Sequence, residues 1–373
     1  MWTFRKALVA AAVLLALFLF LRASHDSSPN VPVDTKSTTP FTNTPAGIVA
    51  EGKGNVNAEP PLAPPATPEI SRNVQRPIED MTGKPLREQI RYNFPYDLAS
   101  KLPAYIWQTW KYTPADGGFD ESLRPFEASW SEKHPGFIHE VVNDEQADHL
   151  IKYLYAAIPD VYEAYESLPV PVLKADFFRY LILLARGGIY TDIDTIALKP
   201  TMEWLPEGFK RENVGLIIGI EADADRPDWA KWYSRRVQFC QWTIQSKPGH
   251  PVLVDIVAKI TEETLRMKKE KILREGKMDK TIVEFTGPGA WTDSVMNYFN
   301  NPNYFDLRGK NITAMDFTKV DAHKQVGDVM VLPITSFSPG VGQMGAKEPD
   351  HPLAFVKHEF EGKKLSASSA HPP

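Results

Sequence analysis

Residues 174–199 read Lys-Ala-Asp-Phe-Phe-Arg-Tyr-Leu-Ile-Leu-Leu-Ala-Arg-Gly-Gly-Ile-Tyr-Thr-Asp-Ile-Asp-Thr-Ile-Ala-Leu-Lys. The apolar residues Phe177, Phe178, Leu181, Ile182 and Leu184 predict a helix buried on most sides. Gly187-Gly188 supplies its C-cap. A short strand should follow, with the β-branched Ile189, Thr191 and Ile193 inward and Tyr190, Asp192 and Asp194 outward on one face. Two carboxylates on one face repel each other unless a cation or a proton lies between them. Such a hard-oxygen site suits a divalent ion, which can neutralise a diphosphate leaving group. A calcium loop would need a third acid and a glycine after Asp194, where the chain has Thr195-Ile196-Ala197. The pattern therefore implies metal-assisted transfer from a sugar nucleotide.

Asp176 and Arg179 are three apart and share a helix face. A charged pair on a buried helix needs a partner or a ligand. It can form a salt bridge, and it can also bind sugar hydroxyls or phosphate oxygens.

At these residues the sequence resembles glycosyltransferase family 32, and within it the fungal α-1,6-mannosyltransferase branch of the Golgi. The resemblance runs from about Pro103 to Gly362 and includes the first strand at 103–111. It also includes Arg235-Arg236-Val237-Gln238-Phe239-Cys240-Gln241-Trp242, Pro248-Gly249-His250-Pro251, the segment 286–293 and the segment 356–362. It implies a GT-A fold, retaining chemistry, Mn²⁺ (or Mg²⁺), GDP-mannose as donor and an N-glycan or mannan acceptor. Carried over, it gives catalytic roles to Asp192, Asp194, Asp176 and Arg179, and donor contacts to Gln108, Thr109, Tyr190, Asp192, Gly287 and Gly289. Metal ligation falls to Asp192, Asp194 and His358. Where the family often continues with Ser-Trp after the glycine, this chain has Lys363-Lys364.

With 373 residues, 43% of them hydrophobic, the chain can bury one α/β domain. A formal charge of −5 and the lack of a long basic run argue against nucleic acid as a partner. The single cysteine, Cys240, excludes an intrachain disulfide and reads as a small core residue. Arg5-Lys6 precede an apolar run from Ala7 to Leu21, closed by Arg22. As a helix this run spans about 22 Å, and flanking basic and aromatic residues extend its reach. It reads as a signal anchor rather than a cleaved signal peptide, leaving 1–6 cytosolic and the rest lumenal. Residues 22–100, rich in Pro, Ser and Thr, read as a disordered stem. The catalytic domain is placed at 101–362, and 363–373 reads as a disordered tail. The expected setting is a single-pass type II protein of the Golgi membrane, with the sequon Asn311-Ile312-Thr313 on a lumenal loop.

Within the domain the residue pattern predicts strands at 105–109, 137–142 and 214–220. Helices are predicted at 121–132, 161–167 and 251–274, and one capped by Asp144 running to 157. The aromatic stretch from Trp229 to Gln245 reads as a buried helix, and a tight turn at 286–289 as leading into a helix near Ala290. Such alternation argues for a mainly parallel central sheet flanked by helices, with ligands beyond the strands' carboxyl ends. Glu221 and Asp223, at the end of one strand, are candidates to face the acceptor. Two rival functions remain open. A hydrolase would need carboxyls on opposite sides of a bond, whereas these acids point at one place. A catalytically weak or inactive subunit of a mannosyltransferase complex would keep the fold without turnover, and a transferase of another sugar is a further alternative.

Overall fold

The computed structural model describes residues 79–361, apart from 225 and 307. The expected anchor at 7–21, residues 22–78 of the expected stem and the tail at 363–373 lie outside the described residues. Among the described residues, no helix is long and apolar enough to cross a membrane.

The elements run α1 (Leu86–Asn93), β1 (Tyr105–Thr109), α2 (Arg124–Lys133), β2 (Ile138–Val142), α3 (Asp144–Leu154), α4 (Pro159–Ser167), α5 (Pro171–Arg186), β3 (Gly188–Thr191) and β4 (Thr195–Ala197). They continue with β5 (Leu216–Asp223), β6 (Val237–Phe239), β7 (Thr243–Ser246), α6 (Pro251–Lys269), α7 (Ile282–Phe285), α8 (Pro288–Phe299), β8 (Lys324–Val326), β9 (Val329–Leu332), α9 (Ile334–Phe337) and β10 (Val356–His358). The main sheet has the order β2-β1-β3-β7-β5-β9-β8, with β6 paired to β5; β10 and β4 form a separate ladder. Pairing is parallel along β2-β1-β3 and between β5 and β9, and antiparallel at β7, β6 and β8. The sheet is thus mixed. Strands β1, β3, β5 and β9 share one direction, so their carboxyl ends meet at one edge, as a GT-A architecture requires.

Side chains alternate between two cores. Trp107, Tyr190, Leu216, Ile218 and Val331 pack with helices α5, α6 and α8. Ile106, Ile189, Ile217, Met330 and Leu332 pack with Trp130, Trp204 and Phe355 on the opposite face. Because both faces are covered, Ile189 and Tyr190 are both buried. An inward and an outward set cannot be told apart on such a strand.

Three expectations need correction. Residues 229–245 form no long helix but a single 3₁₀ turn followed by β6 and β7. Val237, Phe239, Thr243 and Ile244 prefer a pleated surface over a helix. The cap of α3 is Asn143, whose side chain accepts from Gln146 N–H in a capping box, and the helix stops at Leu154. The folded domain also begins before residue 101. Helix α1 buries Ile90, and Arg87 pairs with Asp255 and Glu262 of α6.

The segment after α1 is tied down by buried polar groups. Lys247 Nζ donates to the carbonyls of Leu98 and Glu212, at 2.6 and 3.0 Å, and burial lowers its pKa to about 8. Tyr96 OH donates to Asp328, which also accepts from Tyr298 OH at 2.7 Å and lies 3.3 Å from His250 Nε2. Burial pushes the Asp328 carboxyl up, but His250 and the two tyrosines outweigh it and bring it down to about 2. A depressed carboxyl contributes stability above its unfolded value, near 4, and loses it as the pH falls through about 2. The contribution is roughly 2–3 kcal/mol. Asp328→Asn should therefore unfold at lower urea than the wild type at pH 6, and the gap should narrow steadily between pH 4 and pH 2. A gap independent of pH would show that the carboxylate's charge is not what matters.

Candidate active site

Helix α5 ends at Gly187, and β3 starts at once. Both glycines have positive φ, +65° and +96°, and a Cβ at Gly188 would come within 2.6 Å of the Tyr105 carbonyl oxygen. The tight reversal lays β3 back along α5. Tyr190 then lies under Arg179, whose guanidinium carbon is 5.0 Å from the tyrosine ring centre.

The strand ends at Thr191, so Asp192 and Asp194 sit in a turn between β3 and β4 rather than on one strand face. The Asp192 carbonyl accepts from Thr195 N–H and Thr195 Oγ1, at 3.2 and 2.7 Å, and Asp192 N–H donates to the Trp242 carbonyl. Ile193 inserts between Phe119 and Leu123. The turn still delivers both carboxylates to the same place.

Arg179 Nη2 lies 3.1 Å from Asp176 Oδ1 and 3.2 Å from Asp192 Oδ1. Arg179 and Asp176 are both buried. Asp176 also accepts from Gln241 Nε2 at 3.2 Å and from Thr286 Oγ1 at 2.8 Å. Three protein donors occupy most of what a carboxylate accepts, so Asp176 chiefly holds Arg179. Arg179 Nε, also buried, has no protein acceptor, and this donor is left for a ligand. Tyr190 OH donates to Asp192 Oδ1 at 3.0 Å and lies 3.2 Å from Thr109 Oγ1. Burial raises the pKa of Asp176 and of Asp192 against the pull of Arg179, and the neighbouring Asp194 adds to the rise at Asp192. For Arg179, burial works against the charge, but the acids and tyrosines around it outweigh that and raise its pKa.

Strand β10 pairs antiparallel with β4, His358 opposite Thr195. This register brings His358 Nε2 to 3.1 Å from Asp194 Oδ1, while Glu359 N–H donates to the Asp194 carbonyl. Asp192, Asp194 and His358 each bring a ligand atom within 4.8 Å of the others. Two carboxylate oxygens and an imidazole nitrogen suit Mn²⁺ or Mg²⁺. His358 Nδ1 is buried without a hydrogen-bond partner. The residues therefore fit a divalent cation.

Not every expected donor contact faces this centre. Gln108 is fully buried: its Nε2 donates to the Asp192 carbonyl and its Oε1 meets His139 Nε2. It supports the acidic turn from beneath. Burial lowers the pKa of His139 to about 4, so this support is neutral near pH 7. Gly287 caps α8, but a Cβ there would strike Val283 of α7, and one at Gly289 would meet Ser234 and Val283. These glycines permit close packing of α7 on α8, and it is Thr286 beside them that reaches Asp176. Sequence reasoning also missed Gln241, and with it Trp242 and Phe360, whose rings lie 4.7 and 4.0 Å from the His358 ring. Cys240 is a buried core residue, as expected.

A mixed sheet with flanking helices, carrying an Asp-x-Asp turn and a basic anchor at its carboxyl edge, defines a DXD-type glycosyltransferase. Residues 121–209 match the family model of the glycosyltransferase sugar-binding region containing the DXD motif. The initiation-specific α-1,6-mannosyltransferase of Candida albicans is 50% identical over 291 residues, covering 74% of this chain and 76% of its own. That of Schizosaccharomyces pombe is 45% identical over 273 residues, covering 73% and 66%. That of Saccharomyces cerevisiae is 33% identical, covering 74% and 81%. The chain belongs to glycosyltransferase family 32, the family of these fungal enzymes, and it is a glycosyltransferase.

Removing one partner of a buried ion pair strands the others. Arg179→Ala should lower the unfolding free energy by about 3–5 kcal/mol, read as a shift in urea midpoint. Unchanged stability would mean that the two acids are satisfied without Arg179.

Proposed function

We propose that the protein transfers mannose from GDP-mannose to an α-mannoside of an N-glycan core, forming an α-1,6 linkage with retention, in the Golgi lumen. The observation that carries this reading is the convergence of Asp192, Asp194 and His358 beside Arg179 and Tyr190, in a chain half identical to a mannosyltransferase. The Golgi setting, with a membrane anchor at residues 7–21, is supported by the sequence pattern at the N-terminus and by the exposed sequon residue Asn311.

Asp192, Asp194 and His358 would hold Mn²⁺ or Mg²⁺, which when bound supplies positive charge against the departing diphosphate. The remaining work falls to the chain's own groups. Arg179, fixed by Asp176, offers its unpartnered Nε to a sugar hydroxyl or a phosphate oxygen. Tyr190, oriented by Thr109, keeps Asp192 turned toward the centre. Trp242 and Phe360 flank His358 and shield it from water. Diphosphate is a good leaving group once neutralised, so no strong general acid is required. Asp192 and Asp194 leave one turn together, and Asp176 is taken up by Arg179, Gln241 and Thr286, so this reading assigns no carboxylate as nucleophile. Front-face attack, with a donor phosphate oxygen accepting the acceptor proton, is consistent with retention.

Asp194→Asn changes the charge with little change of shape. Transfer from GDP-mannose to a high-mannose acceptor should fall on the order of a hundredfold or more, with the melting temperature nearly unchanged. Chelator treatment of the wild type should match that loss, and added Mn²⁺ should restore it. Full activity after chelation would sink the metal-assisted reading.

A further inference from the structure

A cavity opens at the same edge of the sheet, apart from the acidic centre. It measures about 1050 Å³ and is lined in part by Asp223, Trp229, Arg236, Lys319, Thr335 and Lys347. None of Asp192, Asp194 and His358 lines it. Asp223 is the last residue of β5, and only β7 separates β5 from β3. Two strand spacings of about 4.8 Å separate β3 from β5 sideways, and Asp223 lies four residues further along than Thr191, so the two strand ends are roughly 16 Å apart. A short oligosaccharide of about three rings covers that reach. The two sites also share a wall. Ile334 and Thr335 of α9 line the cavity, and Phe337 of the same helix lies 6.2 Å, ring to ring, from Trp242, which flanks His358.

Asp223 is 8% exposed. Its Oδ2 accepts from Lys319 N–H, but its buried Oδ1 has no hydrogen-bond partner. Leaving a buried carboxylate oxygen unpaired costs stability, and a ligand hydroxyl would satisfy it. Glu221, the other acid of this strand, is already engaged by Gln238 Nε2 at 3.0 Å. The rest of the wall mixes an aromatic face, which stacks on sugar C–H surfaces, with basic and hydroxyl groups that bind hydroxyl oxygens. The volume, at the upper end of small-molecule pockets, takes several rings.

We infer that this cavity is the acceptor glycan site and that Asp223 Oδ1 accepts a hydrogen bond from an acceptor hydroxyl. The inference deepens the mannosyltransferase reading and rests on it for the reaction.

The test uses the full-length protein with GDP-mannose, Mn²⁺, and methyl α-mannoside or a high-mannose oligosaccharide as acceptor. Asp223→Asn keeps an oxygen for Lys319 N–H and places an amide where the carboxylate oxygen was. The acceptor KM should rise about ten- to hundredfold, as expected for a lost bond to a charged group, with the affinity for GDP-mannose unchanged. Trp229→Ala, at a partly exposed position, should raise the KM more for the oligosaccharide than for the monosaccharide. An unchanged acceptor KM in both variants overturns the inference, as does a parallel loss of GDP-mannose affinity. Calorimetric titration of the high-mannose oligosaccharide, without donor, separates this inference from its parent. A wild type that transfers nothing yet binds the glycan through Asp223 refutes the activity and keeps the site. A wild type that binds no glycan but transfers mannose to water refutes the site alone.

Discussion

The site depends on one buried cation. Arg179 lies between Asp176 and Asp192 and opposes the upward push that burial gives both carboxyls. Its reach is set by chain geometry. From Arg179 to Arg186 at the end of α5 the helix climbs about 10.5 Å, and from Gly188 to Asp192 the extended chain returns about 13 Å. The two-glycine reversal adds almost nothing between them. Arg179 and Asp192 therefore end level with each other, and this explains the spacing Asp-x-x-Arg followed by Gly-Gly-x-Tyr-x-Asp. An insertion in either arm would lift the guanidinium off the acid.

The second half of the site is assembled from far along the chain. His358 reaches Asp194 because β10 pairs with β4, the strand that leaves the acidic turn. Three residue pairs and one further bond, from Glu359 N–H to the Asp194 carbonyl, lock that register. A slip of one residue would turn His358 to the other face of the ladder. The imidazole and the carboxylates are thus fixed by separate devices, one helical and one strand-based. The charge repulsion between Asp192 and Asp194 is eased on one flank by Arg179 and on the other by His358. A cation bound among them would complete that balance.

Much of this was legible in the sequence because it is local. The helix, the glycine pair and the first strand follow from short-range pattern, whereas His358, 164 residues from Asp194, was placed with the acids only by the resemblance. What was not legible depends on tertiary context. An Asp-x-Asp pair two residues apart satisfies a strand face and a tight turn equally, and only the bond from Thr195 to the Asp192 carbonyl decides for the turn. The aromatic stretch at 229–245 has no period that separates a buried helix from two short buried strands, because both its faces are covered. Gln108 carries the right chemistry at the right strand end, yet its side chain points beneath the turn to Asp192 and His139. The early start of the domain was hidden in polar composition, since α1 buries only Ile90 fully and docks through Arg87.

The contacts that hold Asp176 also explain why the motif needs the rest of the fold. Gln241 and Thr286 come from two distant segments and meet on one carboxylate. Tyr180, one residue after Arg179, sets its single O–H between both segments, 2.5 Å from Gln241 Oε1 and 3.0 Å from the Thr286 carbonyl oxygen. Helix α5 therefore carries not only the acid and its base but also the clamp that aligns the two loops receiving them. Trp242 follows Gln241 directly, and its ring packs toward both His358 and Phe337. The loop that orients Asp176 is thus continuous with the wall between the acidic centre and the neighbouring cavity. A shift in that loop would move the donor anchor and the cavity wall together, so the precision of either depends on the packing of both.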